Sequence, residues 1–134
     1  MKKIISLALA AITLVVAVCL VGCTVYSSSF KATMCVHSNK SNSSYLSFST
    51  FEGKMVFKMK CDDGDQIKYY AKLESGDAAV YYDCGGGKTE LLKVGAGEEI
   101  SERGGELSKG TVYVIVETDG KCSGGDFDFD IVKG

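Results

Sequence analysis

The feature that most limits how this chain can fold is a two-residue alternation of apolar and polar side chains that starts near Ser44 and recurs to the C-terminus. Leu46 and Phe48 alternate with serines. Met55, Phe57 and Met59 alternate with Lys54, Lys58 and Lys60, and Ile67, Tyr69, Ala71 and Leu73 with Lys68, Tyr70, Lys72 and Glu74. A period of two places each apolar set on one face of an extended strand. Near the end of the chain, Phe127, Phe129 and Ile131 are expected to point inward and Asp126, Asp128 and Asp130 outward. The run from Thr111 to Thr118 is apolar on both faces, which predicts a central strand.

Between these runs stand Glu52-Gly53, Asp62 to Asp65, Ser75-Gly76-Asp77, Gly85 to Gly87 and Asp119-Gly120, all expected as turns. The chain contains no proline, so its turns depend on Gly and Asp. The polar stretch from Gly95 to Lys109, holding Ile100 and Leu107, has room for one short strand. No amphipathic helix of useful length follows residue 23. The pattern predicts an all-β fold, a single small antiparallel β-sandwich of about seven to eight strands over residues 44–134. A Gly-Asp turn before a Lys-Tyr strand, then Gly110-Thr-Val-Tyr-Val and Gly125-Asp-Phe-Asp-Phe, resembles small bacterial extracellular β-sandwich modules of the pre-peptidase C-terminal type. The resemblance implies the fold and no particular activity.

The first 22 residues follow another rule. Lys2 and Lys3 precede an apolar or small run from Ile4 to Val21, broken only by Ser6 and Thr13. About 18 apolar residues can just span a bilayer, but a run at the extreme N-terminus behind a short positive patch predicts a helical signal peptide. Leu20-Val21-Gly22-Cys23 resembles the lipobox of bacterial lipoproteins. The resemblance implies recognition of Leu20, Val21 and Gly22 by the signal peptidase, cleavage before Cys23, and a diacylglyceryl group on the Cys23 thiol. Each buried methylene contributes about 0.8 kcal/mol, so two acyl chains anchor stably where one binds marginally. The implied location is a bacterial membrane, with the domain facing the extracytoplasmic side. Residues 1–22 are then a discarded leader that includes Cys19, and residues 23–43, rich in Ser, Thr and Asn, are expected as a flexible tether.

Loss of Lys2 and Lys3 leaves 13 of the 15 basic residues against 17 acidic ones, a formal balance of −4. Without a clustered basic patch, nucleic acid is excluded as a partner.

Four cysteines remain beyond the anchor: Cys35, Cys61, Cys84 and Cys122. Outside the cytoplasm an even number predicts two disulfides. Three pairings are open, and Cys61 with Cys122, leaving Cys35 with Cys84, is favoured. Zinc needs closely spaced ligand pairs, which only Cys35-Val36-His37 approaches, so no metal and no cofactor is expected. His37 is the only histidine and lies in the expected tether, which leaves a catalytic triad without a base. Ser28-Ser29-Phe30-Lys31 has Ser-x-x-Lys spacing, but it is not on a helix and reads as a chance match. Gly87-Lys88-Thr89 resembles the tail of a phosphate loop, yet Tyr82 stands where that motif begins with glycine and a strand follows. Asp62, Asp63 and Asp65, or Asp126, Asp128 and Asp130, offer oxygen ligands without the spacing of a calcium loop. The Asn39 and Asn42 glycosylation patterns carry little weight in a bacterial chain.

Tyr69, Tyr70, Tyr81, Tyr82 and Tyr113 are the remaining candidates, because outward tyrosines stack on sugars or contact proteins. Alternation sends about half of them into the core, and the absence of tryptophan argues against sugar. The sequence therefore predicts a non-enzymatic, membrane-anchored lipoprotein that serves as a binding or envelope-associated module. Its expected partners are the membrane, through Cys23, and an unidentified envelope or extracellular protein. A lipid-tethered hydrolase or its accessory domain, and an extracellular inhibitor or small-ligand capture module, are the alternatives.

Overall fold

The computed structural model describes residues 26–134. Its elements are seven strands: β1 Ser29–Thr33, β2 Val36–Asn39, β3 Ser43–Cys61, β4 Gln66–Asp83, β5 Thr89–Val94, β6 Glu98–Gly104 and β7 Gly110–Val132. All pairings are antiparallel, in the order β1-β3-β7-β4-β5, with β2 also on β3 and β6 also on β4. The doubly apolar β7 is central, as its sequence requires.

Three strands are far longer than the usual five or six residues: β3 has 19, β4 has 18 and β7 has 23. None of them runs straight. The register shifts between Glu52 and Lys54 on β3 and between Ser75 and Asp77 on β4. Opposite Gly53, β7 passes from Glu117 to Lys121. Each strand therefore has two limbs, and the limbs form two layers. One layer joins β2, the 43–52 limb of β3, the 121–132 limb of β7, the 66–75 limb of β4, and β6. The other joins residues 54–61, 110–117 and 77–83 with β5.

The layers face one another across the core. Phe57 pairs in register with Val114 in the second layer, whereas Phe129 lies in the first, yet their ring centroids are 6.2 Å apart. Fifteen residues of straight strand would separate Val114 from Phe129 by about 50 Å. The contact requires β7 to fold back, so a single bent sheet forms an antiparallel β-sandwich. Leu46, Phe51, Met59, Ile67, Val80, Val112, Phe127 and Phe129 are among its fully buried residues.

Glu52-Gly53, Ser75-Gly76-Asp77 and Asp119-Gly120, expected as hairpin turns, are instead corners within continuous strands. The residues that permit a turn also permit a bulge. Gly76 has φ +95°, and a Cβ there would lie 2.6 Å from Cys122 Sγ and 2.9 Å from Cys122 Cα. Gly53 has φ +132°, and a Cβ there would collide with the Ser29 carbonyl oxygen and lie 2.7 Å from Phe30 Cα, where β1 pairs with β3.

The Ser-rich stretch expected as a tether is built into the sheet from Ser29 onward. β1 pairs with residues 50–54 of β3, and β2 with residues 44–47. Phe30 stacks on Phe51 with ring centroids 5.0 Å apart. These are polar edge strands, so they lack the alternating signature of a strand buried on one face. The expected hairpin across Gly85 to Gly87 is present as β4–β5, and the expected short strand after Gly95 is β6 with Ile100.

Candidate functional site

The outward faces of three adjacent strands of the first layer meet in one polar field. Along β7, Asp126, Asp128 and Asp130 alternate with buried Phe127 and Phe129 and so share the outer face. The register sets Tyr45 of β3 opposite Asp128 on one side and Tyr70 of β4 opposite it on the other. Ser47 and Lys72 flank Asp126 in the same way, and Ser43 and Lys68 flank Asp130. Directly opposed side chains on one face have Cβ atoms about 4.5–5.5 Å apart. The result is a tyrosine–aspartate–tyrosine row bounded by serines and lysines.

Two interactions tune this row. The Tyr70 hydroxyl donates to Glu99 Oε2 of β6 at 2.8 Å. That bond to a carboxylate, with smaller contributions from burial and nearby acids, pushes the phenol up to about 12. Tyr70 is thus held as a neutral donor, its ring fixed along the face. Asp128 is raised above the ordinary carboxylate range, first by burial and then by Asp126 and Asp130 on either side. A hydroxyl donor from outside would relieve that cost by hydrogen-bonding the carboxylate.

A groove of about 490 Å³ lies on the outer face of the second layer, beside the corners. Ala79 forms its floor between Lys93 of β5 and Glu117 of β7. Its aromatic wall is already taken: Lys88 Nζ lies 4.5 Å from the centroid of Tyr81 and is ion-paired with Glu117.

The remaining sequence candidates have structural roles. Tyr69 is buried and Tyr82 packs against the core, as alternation requires, while Tyr113 stands on the outer face beneath Tyr26. Asp65 Oδ2 accepts the Asp62 amide at 2.8 Å and Asp63 Oδ1 the Lys109 amide at 2.7 Å, so these two carboxylates are taken up by backbone amides of the turn and of the segment before β7. Among the described residues no group of three His, Cys, Asp or Glu gathers as a metal site. In the Gly85–Gly87 turn, Asp83 Oδ1 accepts the amides of Gly85 and Gly87 at 2.8 and 3.2 Å. A carboxylate therefore occupies the place a phosphate would need. Ser28 Oγ accepts the Val56 amide at 2.8 Å, so the Ser-x-x-Lys match belongs to strand packing. His37 is exposed on β2, opposite Leu46.

Cys35, Cys61, Cys84 and Cys122 stand as free thiols. Cys61 Sγ donates to the Ser108 carbonyl at 3.0 Å, and Cys122 Sγ to the Asp77 carbonyl at 3.2 Å. Burial is the main cause pushing the Cys35, Cys61 and Cys122 thiols up. The favoured Cys61–Cys122 pairing does not fit the register. Cys122 pairs with Phe51 at the corner, and Cys61 ends the limb that starts at Lys54. Seven residue steps cover about 23 Å, against a Cα limit of about 7 Å for a disulfide. Cys84 shares the Cys61 end of the sandwich, where its charge adds, after burial, to the rise of the Cys61 thiol.

Leu20, Val21, Gly22 and Cys23 lie outside the described residues.

Sequence reasoning placed Tyr70 and Asp128 outward separately. It missed Tyr45 and the row itself, because the row depends on cross-strand register.

No protein-family model and no curated protein matches the chain. Among solved structures it is similar to a family 61 carbohydrate-binding module in complex with β-1,4-galactotriose, at 18% identity over 67% of each chain with a TM-score of 0.41. A family 29 carbohydrate-binding module is similar at 14% identity, over 79% of each chain, with a TM-score of 0.41. The CENP-C cupin domain of Drosophila melanogaster is similar at 13% identity, over 73% of this chain and 75% of that one, with a TM-score of 0.27. A likeness at these TM-scores carries no inference about ligand or site.

Proposed function

We propose that this chain is a non-catalytic binding module, held to the extracytoplasmic side of a bacterial membrane by lipid on Cys23. Its ligand is a hydroxyl-rich polymer such as a glycan, taken up on the outer face of the first layer. The observation that carries this reading is the Tyr45–Asp128–Tyr70 row. A pyranose ring presents apolar C–H groups to an aromatic face and hydroxyls at its rim. Two tyrosines one strand apart from a carboxylate match that pattern, with aromatic surface beside a strong acceptor. Lys68 and Lys72 add donors on the same face. The absence of tryptophan that argued against sugar is offset by the fixed geometry of Tyr70, whose hydroxyl is already committed to Glu99.

The anchor reading rests on Leu20-Val21-Gly22-Cys23 and the apolar run before it. The catalytic alternative finds little support, since the one histidine is exposed on an edge strand and the buried thiols are held protonated.

Titration of the protein against a panel of soluble polysaccharides, with Tyr45→Ala and Tyr70→Ala in parallel, tests the ligand. Saturable binding weakened about tenfold by each variant, about 1.4 kcal/mol, supports the reading. Turnover of glycoside, ester or peptide probes, or binding indifferent to both tyrosines, contradicts it.

A further inference from the structure

Tyr26 lies only three residues after Cys23, and it is fixed to the sandwich. Its hydroxyl donates to Asp83 Oδ2 at 2.6 Å, and its ring packs on Tyr113 with centroids 5.3 Å apart and planes at 54°. Ser28 adds a second attachment: its Oγ accepts the Val56 amide at 2.8 Å and donates to Met55 Sδ at 3.7 Å.

The direction of the chain follows from register. β1 runs antiparallel to β3 with Ser29 opposite Lys54. Traced backward, it passes Met55 and Val56 at Ser28, then reaches Tyr113, which pairs with Lys58, at Tyr26. It is heading for the end of the sandwich that carries Cys61, the Asp62–Asp65 turn, the Gly85–Gly87 turn and Lys109. The corners at Gly53, Gly76 and Gly120 form the opposite end, about 23 Å away along the limbs.

Three residues reach at most about 11 Å. We propose that the Tyr26 clamp seats the domain directly on the bilayer with its Asp62–Asp65 and Gly85–Gly87 turns against the lipid headgroups and its corners projecting outward. This inference rests on the reading of Cys23 as the lipid anchor. The surface at the seated end is polar, with Lys60, Asp63, Gly86 and Lys109 exposed. It therefore meets headgroups rather than inserting among acyl chains. The Tyr45–Asp128–Tyr70 face then stands edge-on to the membrane, and the groove beside the corners lies at the distal end. A glycan lying parallel to the membrane would cross that face without the domain having to tilt.

The full chain, lipidated in its host and purified, is incorporated into phosphatidylcholine vesicles containing a few per cent of a lipid with a short amine-reactive headgroup. Peptide mapping then compares labelling of Lys60 and Lys109, at the seated end, with Lys93 and Lys121, near the corners. All four side chains are exposed. The expected result is at least fivefold more labelling of the first pair. In Tyr26→Ala that ratio falls toward one, and Tyr26→Phe, which keeps the ring, gives an intermediate value. Equal labelling of the two pairs in the native chain, with the lipid confirmed by intact mass, overturns the seating while leaving the anchor standing. A native ratio that survives unchanged in Tyr26→Ala overturns the role of the clamp. A chain that carries no lipid by intact mass overturns the anchor, and the seating with it.

Discussion

The Tyr26 hydroxyl donates to Asp83 Oδ2 at 2.6 Å across 57 positions of sequence. Asp83 meanwhile accepts the Gly85 and Gly87 amides on its other oxygen. One carboxylate thus closes a hairpin turn and fastens the N-terminal segment to it. The bond holds Asp83 below the ordinary carboxylate range, helped by the two amides and opposed by burial, and it pushes Tyr26 up to about 12.

Tyr26→Phe is expected to destabilise the domain by about 1 kcal/mol, the usual net value of a hydrogen bond, or about 4 °C in Tm. The sign of its pH dependence is fixed by the two shifts. The depressed Asp83 contributes stability above its ordinary value near pH ~3.9 and loses it as pH falls through its lowered folded value. The raised Tyr26 contributes below pH ~10 and loses it as pH rises toward about 12. Thermal melts of both proteins from pH 2 to 10 should converge in acid and differ by a constant amount between pH ~5 and ~9.

Gly76→Ala should cost about 2 kcal/mol or more, since its φ is +95° and the new methyl meets the Cys122 backbone as well as its sulfur. Gly86→Ala, where a Cβ meets nothing within 4 Å, serves as the control and should be near neutral. Urea unfolding separates the two. Equal midpoints would mean that the 75–77 segment is an ordinary turn.

Asp128→Asn should stabilise the free protein slightly and weaken ligand binding together. Its raised carboxyl carries a penalty above its folded pKa that is relieved as pH falls through that value. A gain of about 1–3 °C in Tm, the scale of a surface change, is expected at pH 7 and should vanish near pH 3. Loss of a charged acceptor should cut glycan affinity about 10- to 100-fold.

Non-reducing peptide mapping should never recover Cys61 joined to Cys122, because the 54–61 limb of β3 holds them apart. Any oxidation of Cys61 should lead to Cys84, at the same end of the sandwich. Recovery of a Cys61–Cys122 peptide would contradict the strand register.

The inward and outward faces of β4 and β7 were legible in the sequence because alternation reports burial directly, as for Phe127 and Phe129 against Asp126, Asp128 and Asp130. The corners were not. Gly53, Gly76 and Gly120 give the same local signature whether a strand reverses or bends, and the choice is made at long range by contacts such as Phe57 on Phe129. β1 and β2 were hidden for the opposite reason. They are held by backbone pairing and by a few side chains, such as Phe30 on Phe51, so they carry no periodic apolar pattern. The candidate site combines residues of β3, β4 and β7 that only register brings together, and no spacing along the chain encodes Tyr45 beside Asp128.

The extracytoplasmic location and the seating on the membrane both follow from how Cys23 is processed. Intact mass spectrometry of the protein extracted from host membranes, alongside Cys23→Ser, tests this most directly. The expected result is a native chain beginning at residue 23 and heavier than its polypeptide by a diacylglyceryl group, with the variant retaining residues 1–22 and gaining no such mass. A native protein with an unmodified Cys23, or a Cys23→Ser variant still cleaved before residue 23, would contradict it.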